Sequence, residues 1–277
     1  MSAFSRKIIV WQEREGRNDL PWQGTRDPYR IWVSEIMLQQ TQVAAVVPYF
    51  VRFMQRFPDV HSLARAVDDE VMQLWAGLGY YSRARNLHAA AQQMAVRGVP
   101  QDEASWRELK GVGPYTAAAI AAIAFNEATN VVDGNVERVM ARLFALTEPL
   151  PAGKPRLKDL AAALTPEKRS GDYAQAVMDL GATICTPTSP KCMLCPWAEN
   201  CRGRIAGIAE TLPRKAPKAA RPQKYGVAFS DDFGSGKTFG WFGPLSTAGQ
   251  PISVSHTGLL FGVQPVGVPL CTPPGRL

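Results

Sequence analysis

Apolar residues recur at helical spacing through the first 200 residues of the chain. No segment there alternates apolar and polar residues as a half-buried strand does. Asp27 and Pro28 mark one helix start, because an aspartate caps the backbone and a proline suits the first helical position. The pattern predicts an all-α region with helices near residues 3–16, 28–39, 42–56, 68–76, 82–97, 103–109, 114–125, 135–145, 156–164 and 171–183.

The pattern changes after residue 202. Basic residues then outnumber the one acidic residue, Glu210, and three prolines interrupt any helix as far as residue 225. This linker is either simply solvated or follows a nucleic-acid backbone. In the remainder, glycine or proline fills 16 of 52 positions, although a strand could begin near residues 225–229. We expect a helical core over 1–202, a basic linker over 203–225 and an irregular, poorly ordered tail over 226–277.

The composition adds a positive charge, with a formal net charge of +7 and a pI near 9.3. Such a charge favours nucleic acid only when a phosphate-binding feature accompanies it. The chain has no run of about 18 apolar residues that would span a membrane. Its N-terminus also lacks the apolar segment of a secretory signal. We therefore expect no membrane association and a monomeric cytoplasmic protein, associated with the nucleoid if it binds DNA.

A candidate phosphate site lies at residues 109–116, where Leu-Lys-Gly-Val-Gly-Pro-Tyr-Thr predicts a tight hairpin that leads into a helix. The two glycines permit backbone angles that other residues resist. Backbone N–H groups at a helix start carry the positive end of the helix dipole and can hold a phosphate. The hairpin therefore favours nucleic-acid binding. Its predicted phosphate contacts are Lys110, Gly111, Val112 and Gly113.

Four cysteines form a candidate metal site near the end of the helical region. Cys185, Cys192, Cys195 and Cys201 have the spacing C-x6-C-x2-C-x5-C. An intracellular chain keeps its cysteines reduced, so a metal site is expected rather than disulfides. Four thiolates suit zinc or an iron–sulfur cluster. Zinc sites usually contain two closely spaced ligand pairs of the form C-x2–4-C. Because only one such pair, Cys192 and Cys195, is present, the spacing favours the larger iron–sulfur cluster.

Glu35 is a candidate general acid. Three of its four neighbours at three and four residues along the predicted helix are apolar. A carboxyl group on an apolar face loses hydration, which raises its pKa and suits it to donate a proton near neutral pH. A core glutamate paired with an arginine, Arg83 or Arg138, fits the spacing equally well.

Asp133 follows the helix of the hairpin and precedes Gly134 and Asn135. It could cap the next helix, act as an active-site anion, or do both. Together with Glu35 it forms the kind of carboxyl pair that breaks glycosidic bonds. In such a pair one acid protonates the leaving group, and one anion faces the cationic sugar.

The chain resembles the helix-hairpin-helix DNA glycosylases of the endonuclease III superfamily over residues 1 to about 225. The hairpin and the cysteine spacing carry the resemblance, together with Leu20–Trp22, Trp32–Val43, Leu78–Arg85 and Val132–Asn135. It implies two helical lobes with DNA across the cleft between them. One is a six-helix barrel lobe over about 22–133. The other, residues 1–21 and 134–202, would hold a [4Fe–4S] cluster on the four cysteines.

Within this superfamily the motifs are most similar to the branch that removes adenine mispaired with 8-oxoguanine or guanine in double-stranded DNA. This similarity implies that Glu35 protonates the adenine ring and later helps to activate water. Asp133 would stabilise the oxocarbenium-like sugar, and Tyr115 and Asn135 complete the predicted catalytic set. Strand-cleaving members carry a lysine at position 115 that forms a Schiff base. Tyr115 therefore favours hydrolysis without efficient strand cleavage.

The same similarity assigns residues to the DNA and to the extruded base. The predicted DNA contacts outside the hairpin are Gln39, Gln40, Thr41 and Tyr80. The predicted base pocket includes Trp22 and Leu38. Plain packing is the alternative role for these side chains.

The resemblance ends at the tail. Members of the family usually continue into a Nudix-like domain that reads 8-oxoguanine, and Lys224–Phe229 resembles its first strand. We expect residues 226–277 to be a truncated or frame-shifted remnant of that domain. Its loss would weaken discrimination for 8-oxoguanine more than basal adenine removal. Two other functions stay open: a bifunctional oxidised-pyrimidine glycosylase with lyase activity, and a non-catalytic iron–sulfur protein that binds DNA.

Overall fold

The computed structural model describes residues 2–217, 228–233 and 236–241. Residues 2–217 belong to one compact unit, and the two later segments belong to another. The regular structure of the first unit is helical, with short 3-10 turns at 192–194, 198–200 and 209–211. Its helices are α1 (Ala3–Glu15), α2 (Pro28–Leu38), α3 (Val43–Arg56), α4 (Val60–Ala64), α5 (Asp68–Trp75), α6 (Ser82–Arg97), α7 (Glu103–Arg107), α8 (Pro114–Phe125), α9 (Gly134–Leu143), α10 (Lys154–Leu164), α11 (Ser170–Thr183) and α12 (Arg202–Ile205).

All ten predicted helices are present, with ends within two residues of the expected ones. The predicted start of α2 is confirmed, because the Asp27 Oδ1 accepts the Tyr29 N–H at 2.9 Å. Helices α4 and α12, of five and four residues, are absent from the predicted set. No helix in the described part of the chain is long and apolar enough to cross a membrane.

The first hydrophobic core joins α2 to α8 and is rich in aromatic side chains. Trp32 of α2 lies against Trp106 of α7, with ring centroids 6.0 Å apart, and both are fully buried. Phe53 of α3 packs edge-on against Trp75 of α5 at 6.2 Å. Burial of each such side chain stabilises the fold by roughly 1.5–3 kcal/mol. This core holds α2 in place, and α2 carries Glu35.

A second core joins the N-terminal helix to the C-terminal ones. Ile8 and Ile9 of α1 pack with α9, α10 and α11, and with Trp197 from the cysteine-containing segment. The Trp197 ring stacks on Phe4 at 4.3 Å, and its Nε1–H donates to the Phe4 carbonyl at 3.3 Å. The chain ends of the helical region therefore meet in one lobe, and the two-lobed fold is confirmed.

Helix α11 approaches both α8 and α9 closely through two glycines. A Cβ at Gly171 would lie 2.4 Å from the Ala122 carbonyl oxygen at the end of α8. A Cβ at Gly181 would lie 2.6 Å from the Cβ of Asn135 at the start of α9. Real Cβ atoms do not approach so closely, so larger residues would push these helices apart. The three helices surround the cleft described below.

An antiparallel hairpin shows that the expectation of an irregular tail is wrong for part of it. Strand β1 (Ala228–Phe233) pairs with β2 (Gly236–Trp241), from Ala228 opposite Trp241 to Phe233 opposite Gly236. The sequence signal was the Gly-Ser pair between the strands, which is typical of two-residue hairpin loops. The remaining predictions for the linker and tail after residue 217 lie outside the described residues.

Candidate active site

A cleft of about 750 Å³ opens in the first unit. Its walls come from the segment before α2, from α2 and the turn after it, from the first turns of α8 and α9, and from one face of α11. Nine of the predicted site residues line it: Trp22, Glu35, Leu38, Gln39, Gln40, Thr41, Tyr115, Asp133 and Asn135.

Glu35 lies within α2 and is 9% exposed. Burial raises the pKa of Glu35 from 4.5 to about 7. The Tyr115 hydroxyl opposes this rise in pKa, and the charge of Asp133 adds to it. Near neutral pH a substantial fraction of Glu35 is therefore protonated. A carboxylic acid in this state can donate a proton to a group in the cleft.

The alternative of a core ion pair for Glu35 is wrong. The Arg83 Nη1 donates instead to the carbonyl oxygens of Ile36 and Met37, at 3.0 and 2.8 Å. Arg138 donates to backbone and side-chain oxygens beside α9 and α11. No ion pair within the described ranges includes Glu35. Its acidity is set by burial and by the other groups in the cleft.

Asp133 caps α9 and also lines the cleft. Its Oδ1 accepts the Val136 N–H at 2.8 Å, and its Oδ2 accepts from the Asn135 Nδ2 at 2.7 Å. Burial raises the pKa of Asp133, whereas these hydrogen bonds lower it. Both donors stabilise the ionised carboxylate. Glu35 and Asp133 thus share one cleft but differ in their hydrogen-bond donors.

Arg138 connects Asn135 to the segment that carries the first cysteine. Its Nη2 donates to the Asn135 Oδ1 at 2.9 Å and to the Gly181 carbonyl at 2.6 Å. Its Nε donates to the Cys185 carbonyl at 2.7 Å. Hydrogen bonds therefore run without interruption from Asp133 through Asn135 and Arg138 to Cys185.

The Tyr115 hydroxyl contacts the Met178 sulfur and affects the pKa of Glu35. It donates to the Met178 Sδ at 3.3 Å, and it also lowers the pKa of Glu35 as a hydrogen-bond partner. A carboxylate is a stronger acceptor than a thioether sulfur, so ionisation of Glu35 favours the second arrangement. Burial, followed by the charge of Glu35, raises the pKa of Tyr115 well above its ordinary value. Tyr115 therefore remains a donor at neutral pH.

The turn after α2 forms part of the rim of the cleft. The Gln39 Nε2 donates to the Thr116 Oγ1 of α8 at 3.3 Å, which ties the turn to the hairpin helix. Gln40 is exposed and has a φ of 56°, a value that residues with side chains rarely adopt. The Thr41 Oγ1 donates to the Gln39 carbonyl at 3.3 Å. An exposed side chain on an unusual backbone at this rim is suited to contact a ligand.

Five predicted DNA contacts do not line the cleft: Tyr80, Lys110, Gly111, Val112 and Gly113. Tyr80 is 58% exposed and has a φ of 47°. Lys110 is also exposed, so its ammonium group is free to meet a phosphate. The Val112 side chain is buried in the first core, so at this position only the backbone is available.

The two hairpin glycines have different reasons to be glycine. Gly111 has a φ of 83°, and a Cβ there would lie 2.7 Å from the Asn86 Cβ. Gly113 has a φ of −87°, which any residue adopts, so this position does not use the backbone angles that glycine permits. Space for a Cβ is open at Gly113. A glycine there leaves the N–H groups at the start of α8 accessible.

Sequence reasoning missed several residues that the fold brings into the cleft. Among them, Arg17 binds the Asp179 Oδ1 through Nε at 2.8 Å and Nη2 at 2.6 Å. Asp179 is 1% exposed, and an aspartate on an otherwise apolar stretch of α11 was a signal for such a pair. The missed residues are Arg17, Leu20, Gln23, Gln42, Val43, Ile123, Gln175, Met178, Asp179 and Ala182.

The four cysteines surround one small cavity of about 30 Å³. Within the described residues, no group of three or more His, Cys, Asp or Glu side chains is placed to hold a single metal ion.

Arg142 adds a buried positive charge to the cysteine site. Its Nη1 donates to the Cys185 Sγ at 3.3 Å, and its carbonyl accepts from the Cys201 Sγ at 3.4 Å. Burial raises the pKa of Cys195 to about 12 and also raises the pKa of Cys185. The guanidinium group of Arg142 opposes the rise at Cys185, because a nearby positive charge favours the thiolate. Four convergent sulfurs and a buried guanidinium fit an iron–sulfur cluster.

Comparison with known proteins identifies the family. Residues 33–186 match the HhH-GPD superfamily of base excision DNA repair proteins. The chain therefore belongs to this superfamily. Residues 185–201 match the iron–sulfur binding domain of endonuclease III. This segment contains all four cysteines, so the iron–sulfur cofactor that their spacing favours is confirmed.

Curated relatives carry a more specific name, adenine DNA glycosylase. The protein of this name from Rattus norvegicus is 46% identical over 73% of this chain and 42% of its own length. The one from Buchnera aphidicola (subspecies Acyrthosiphon pisum) is 38% identical over 80% of this chain and 65% of its own length. The chain thus spans less than two thirds of the length of these relatives.

Solved structures share the fold. A thermostable thymine-DNA glycosylase is 30% identical, with a TM-score of 0.67 over 73% of this chain and 95% of its own. A non-covalent endonuclease III–DNA complex is 22% identical, with a TM-score of 0.61 over 74% of this chain and 95% of its own. At this identity the second likeness supports the fold alone.

Proposed function

We propose that this protein is an adenine DNA glycosylase that removes adenine mispaired with 8-oxoguanine or guanine. The observation that carries the proposal is the meeting of Glu35, with its pKa near 7, and the hydrogen-bonded Asp133 in one cleft. Such a pair supplies a proton to a leaving group and an anion to a sugar cation. The names of the relatives support adenine as the base.

In the proposed reaction, Glu35 protonates the adenine ring, so that the base leaves without negative charge. Asp133, oriented by Asn135, faces the positive charge that develops on the sugar. Tyr115 then donates to the Glu35 carboxylate, which can accept a proton from the attacking water. The N-glycosidic bond breaks, a C–O bond forms, and the water proton passes to Glu35.

The DNA would be held by the hairpin and opened by the rim of the cleft. The α8 N-terminus offers backbone N–H groups to a phosphate, and Lys110 adds a positive charge. The proposed DNA contacts beyond the hairpin are Gln39, Gln40, Thr41 and Tyr80. Trp22 and Leu38 line the cleft beside Glu35 and would contact the extruded base.

Strand cleavage through a Schiff base finds no support in the cleft. No lysine is among the described residues that line it, and position 115 is tyrosine. Schiff-base chemistry requires an amine within reach of the sugar. We therefore expect no covalent adduct when borohydride is added during the reaction, whereas a stable adduct would support the lyase alternative.

The proposal is tested by adenine release from duplexes that differ only in the partner base. We expect release opposite 8-oxoguanine and opposite guanine, and none opposite thymine. A protein that binds these duplexes without releasing adenine would support the non-catalytic alternative. The ratio of the first two rates also tests whether discrimination for 8-oxoguanine is weak, as the tail hypothesis requires. The monomeric state and the nucleoid location stay predictions.

A further inference from the structure

Arg83 is a buried arginine that contacts two separate turns, the turn after α2 on the rim of the cleft and the turn between α5 and α6. It lies in the first turn of α6, and it is 7% exposed. Six oxygen atoms lie within 3.3 Å of its two terminal nitrogens. They are the carbonyl oxygens of Ile36, Met37, Gln39, Leu78 and Gly79 and the Oγ1 of Thr41.

These six oxygens divide between the two turns. Four belong to the end of α2 and the turn that follows it, and two belong to the turn between α5 and α6. The first turn presents Gln40 and the second presents Tyr80. One guanidinium group therefore sets the distance between the two turns.

Each turn contains one strained residue next to a carbonyl that Arg83 binds. Gln40 has a φ of 56° and follows Gln39, whereas Tyr80 has a φ of 47° and follows Gly79. Such angles are unfavourable for residues other than glycine and persist only when the surroundings hold them. The hydrogen bonds from Arg83 to the preceding carbonyls supply that support.

Carboxylate pairing does not explain the burial of Arg83. No ion pair within the described ranges includes it, although buried guanidinium groups usually have an anionic partner. The guanidinium carbon instead lies over the rings of Trp75 and Tyr80, at 5.4 and 5.3 Å from their centroids. Its Nε is buried without an acceptor. The group is suited to joining the turns rather than to neutralising an acid.

We propose that Arg83 is a positioning residue that makes the Gln40 and Tyr80 turns enter the duplex as one unit. This inference rests on the proposed function. Extruding a base requires unstacking it and filling the gap, which is unfavourable. Two turns with a fixed separation can offset that unfavourable step together. Arg83 touches neither the base nor the sugar and acts through the turns.

The test compares Arg83→Lys and Arg83→Gln with the wild-type chain on two substrates. The first is a closed duplex with adenine opposite 8-oxoguanine. In the second substrate the same adenine lies in a short unpaired bubble, so that no base pair has to be opened. Lysine keeps the charge but offers three N–H groups on one nitrogen, whereas the guanidinium group reaches both turns through four N–H groups on two nitrogens. We expect both variants to lose about tenfold or more in single-turnover rate on the duplex and under about threefold on the bubble.

Arg97→Gln is the matched control, because Arg97 is exposed in the last turn of the same helix. It should leave both rates unchanged. The fluorescence of 2-aminopurine at the target position reports base extrusion directly, and it should rise less with either Arg83 variant. The inference would be overturned if the single-turnover rate fell equally on the duplex and on the bubble. It would also be overturned if Arg83→Lys kept the wild-type rate on both substrates. Failure of the wild-type chain to release adenine would instead count against the proposed function.

Discussion

The Nε of Arg138 donates to the carbonyl oxygen of Cys185 at 2.7 Å. The same guanidinium group holds Asn135, which in turn holds Asp133. A group in the active-site cleft is thereby fixed to the segment that binds the iron–sulfur cofactor. Loss of the cofactor and loss of Arg138 should consequently have related effects on the cleft.

Arg138→Gln should slow adenine release by about tenfold or more, because an uncompensated break in a buried hydrogen-bond network costs a few kcal/mol. Asp133 would lose its orientation while Glu35 stays in place. Single-turnover rates and iron content should be measured together. Arg156→Gln, an exposed change on α10, is the control. If the Arg138→Gln protein kept its full iron content and released adenine at the wild-type rate, the hydrogen-bond network would have no role in catalysis.

Glu35→Gln should abolish most of the activity, with a loss of about 10²–10⁴-fold, since an amide cannot donate the acidic proton. The shape of the side chain is kept, so the affinity for an A·8-oxoguanine duplex should remain near that of the wild-type chain. Single-turnover excision and equilibrium binding check the two expectations separately. Release of adenine at the wild-type rate would remove Glu35 from the catalytic role.

The burial of Glu35 should also make stability depend on pH. Because burial raises the pKa of Glu35 from 4.5 to about 7, the folded state binds more protons than the unfolded state between these values. The free energy of unfolding should therefore fall as pH rises through this window, by a contribution on the order of 3 kcal/mol. Above pH 7 the contribution should level off.

Urea unfolding of the wild-type chain and of Glu35→Gln at several pH values measures this contribution. The wild-type chain should lose stability relative to the variant as pH rises from about 5 to about 7. Other titrating groups cancel in the difference. Parallel stability curves for the two proteins would show that Glu35 is not buried in this way.

Tyr115→Phe should move the pH dependence of catalysis. The Tyr115 hydroxyl lowers the pKa of Glu35, so its removal should raise that pKa further. If protonated Glu35 is the acid, the rate falls as pH rises above its pKa, and the variant should show this fall at a higher pH. Single-turnover rates across the pH range test the direction. A shift toward lower pH would contradict it.

The cysteine site should hold iron and sulfide rather than zinc. The expected signature is broad absorption near the visible edge, with iron and acid-labile sulfide found by analysis. Cys201→Ala should lose this signature, whereas Cys271→Ser should keep it, since Cys271 lies outside the four-cysteine spacing. A stoichiometric zinc content with no absorption would contradict the cluster assignment.

The sequence by itself determined the local features of this protein. Helix positions follow from hydrophobic spacing and from caps such as Asp27, which act over a few residues. The metal site follows from four cysteines in a short segment, and the apolar neighbours of Glu35 along one helix predict the burial that raises its pKa. Each of these predictions uses only residues that are close along the chain.

The tertiary structure decided which distant residues meet. The spacing left open whether Glu35 pairs with Arg83 or Arg138, and only the packing of α2, α6 and α9 shows that it pairs with neither. The Arg17–Asp179 pair also depends on how helices cross. Helix crossing is set by side-chain packing over the whole core and by close approaches such as that of Gly171. A pattern along one chain does not record that packing, because it arises between elements rather than within them.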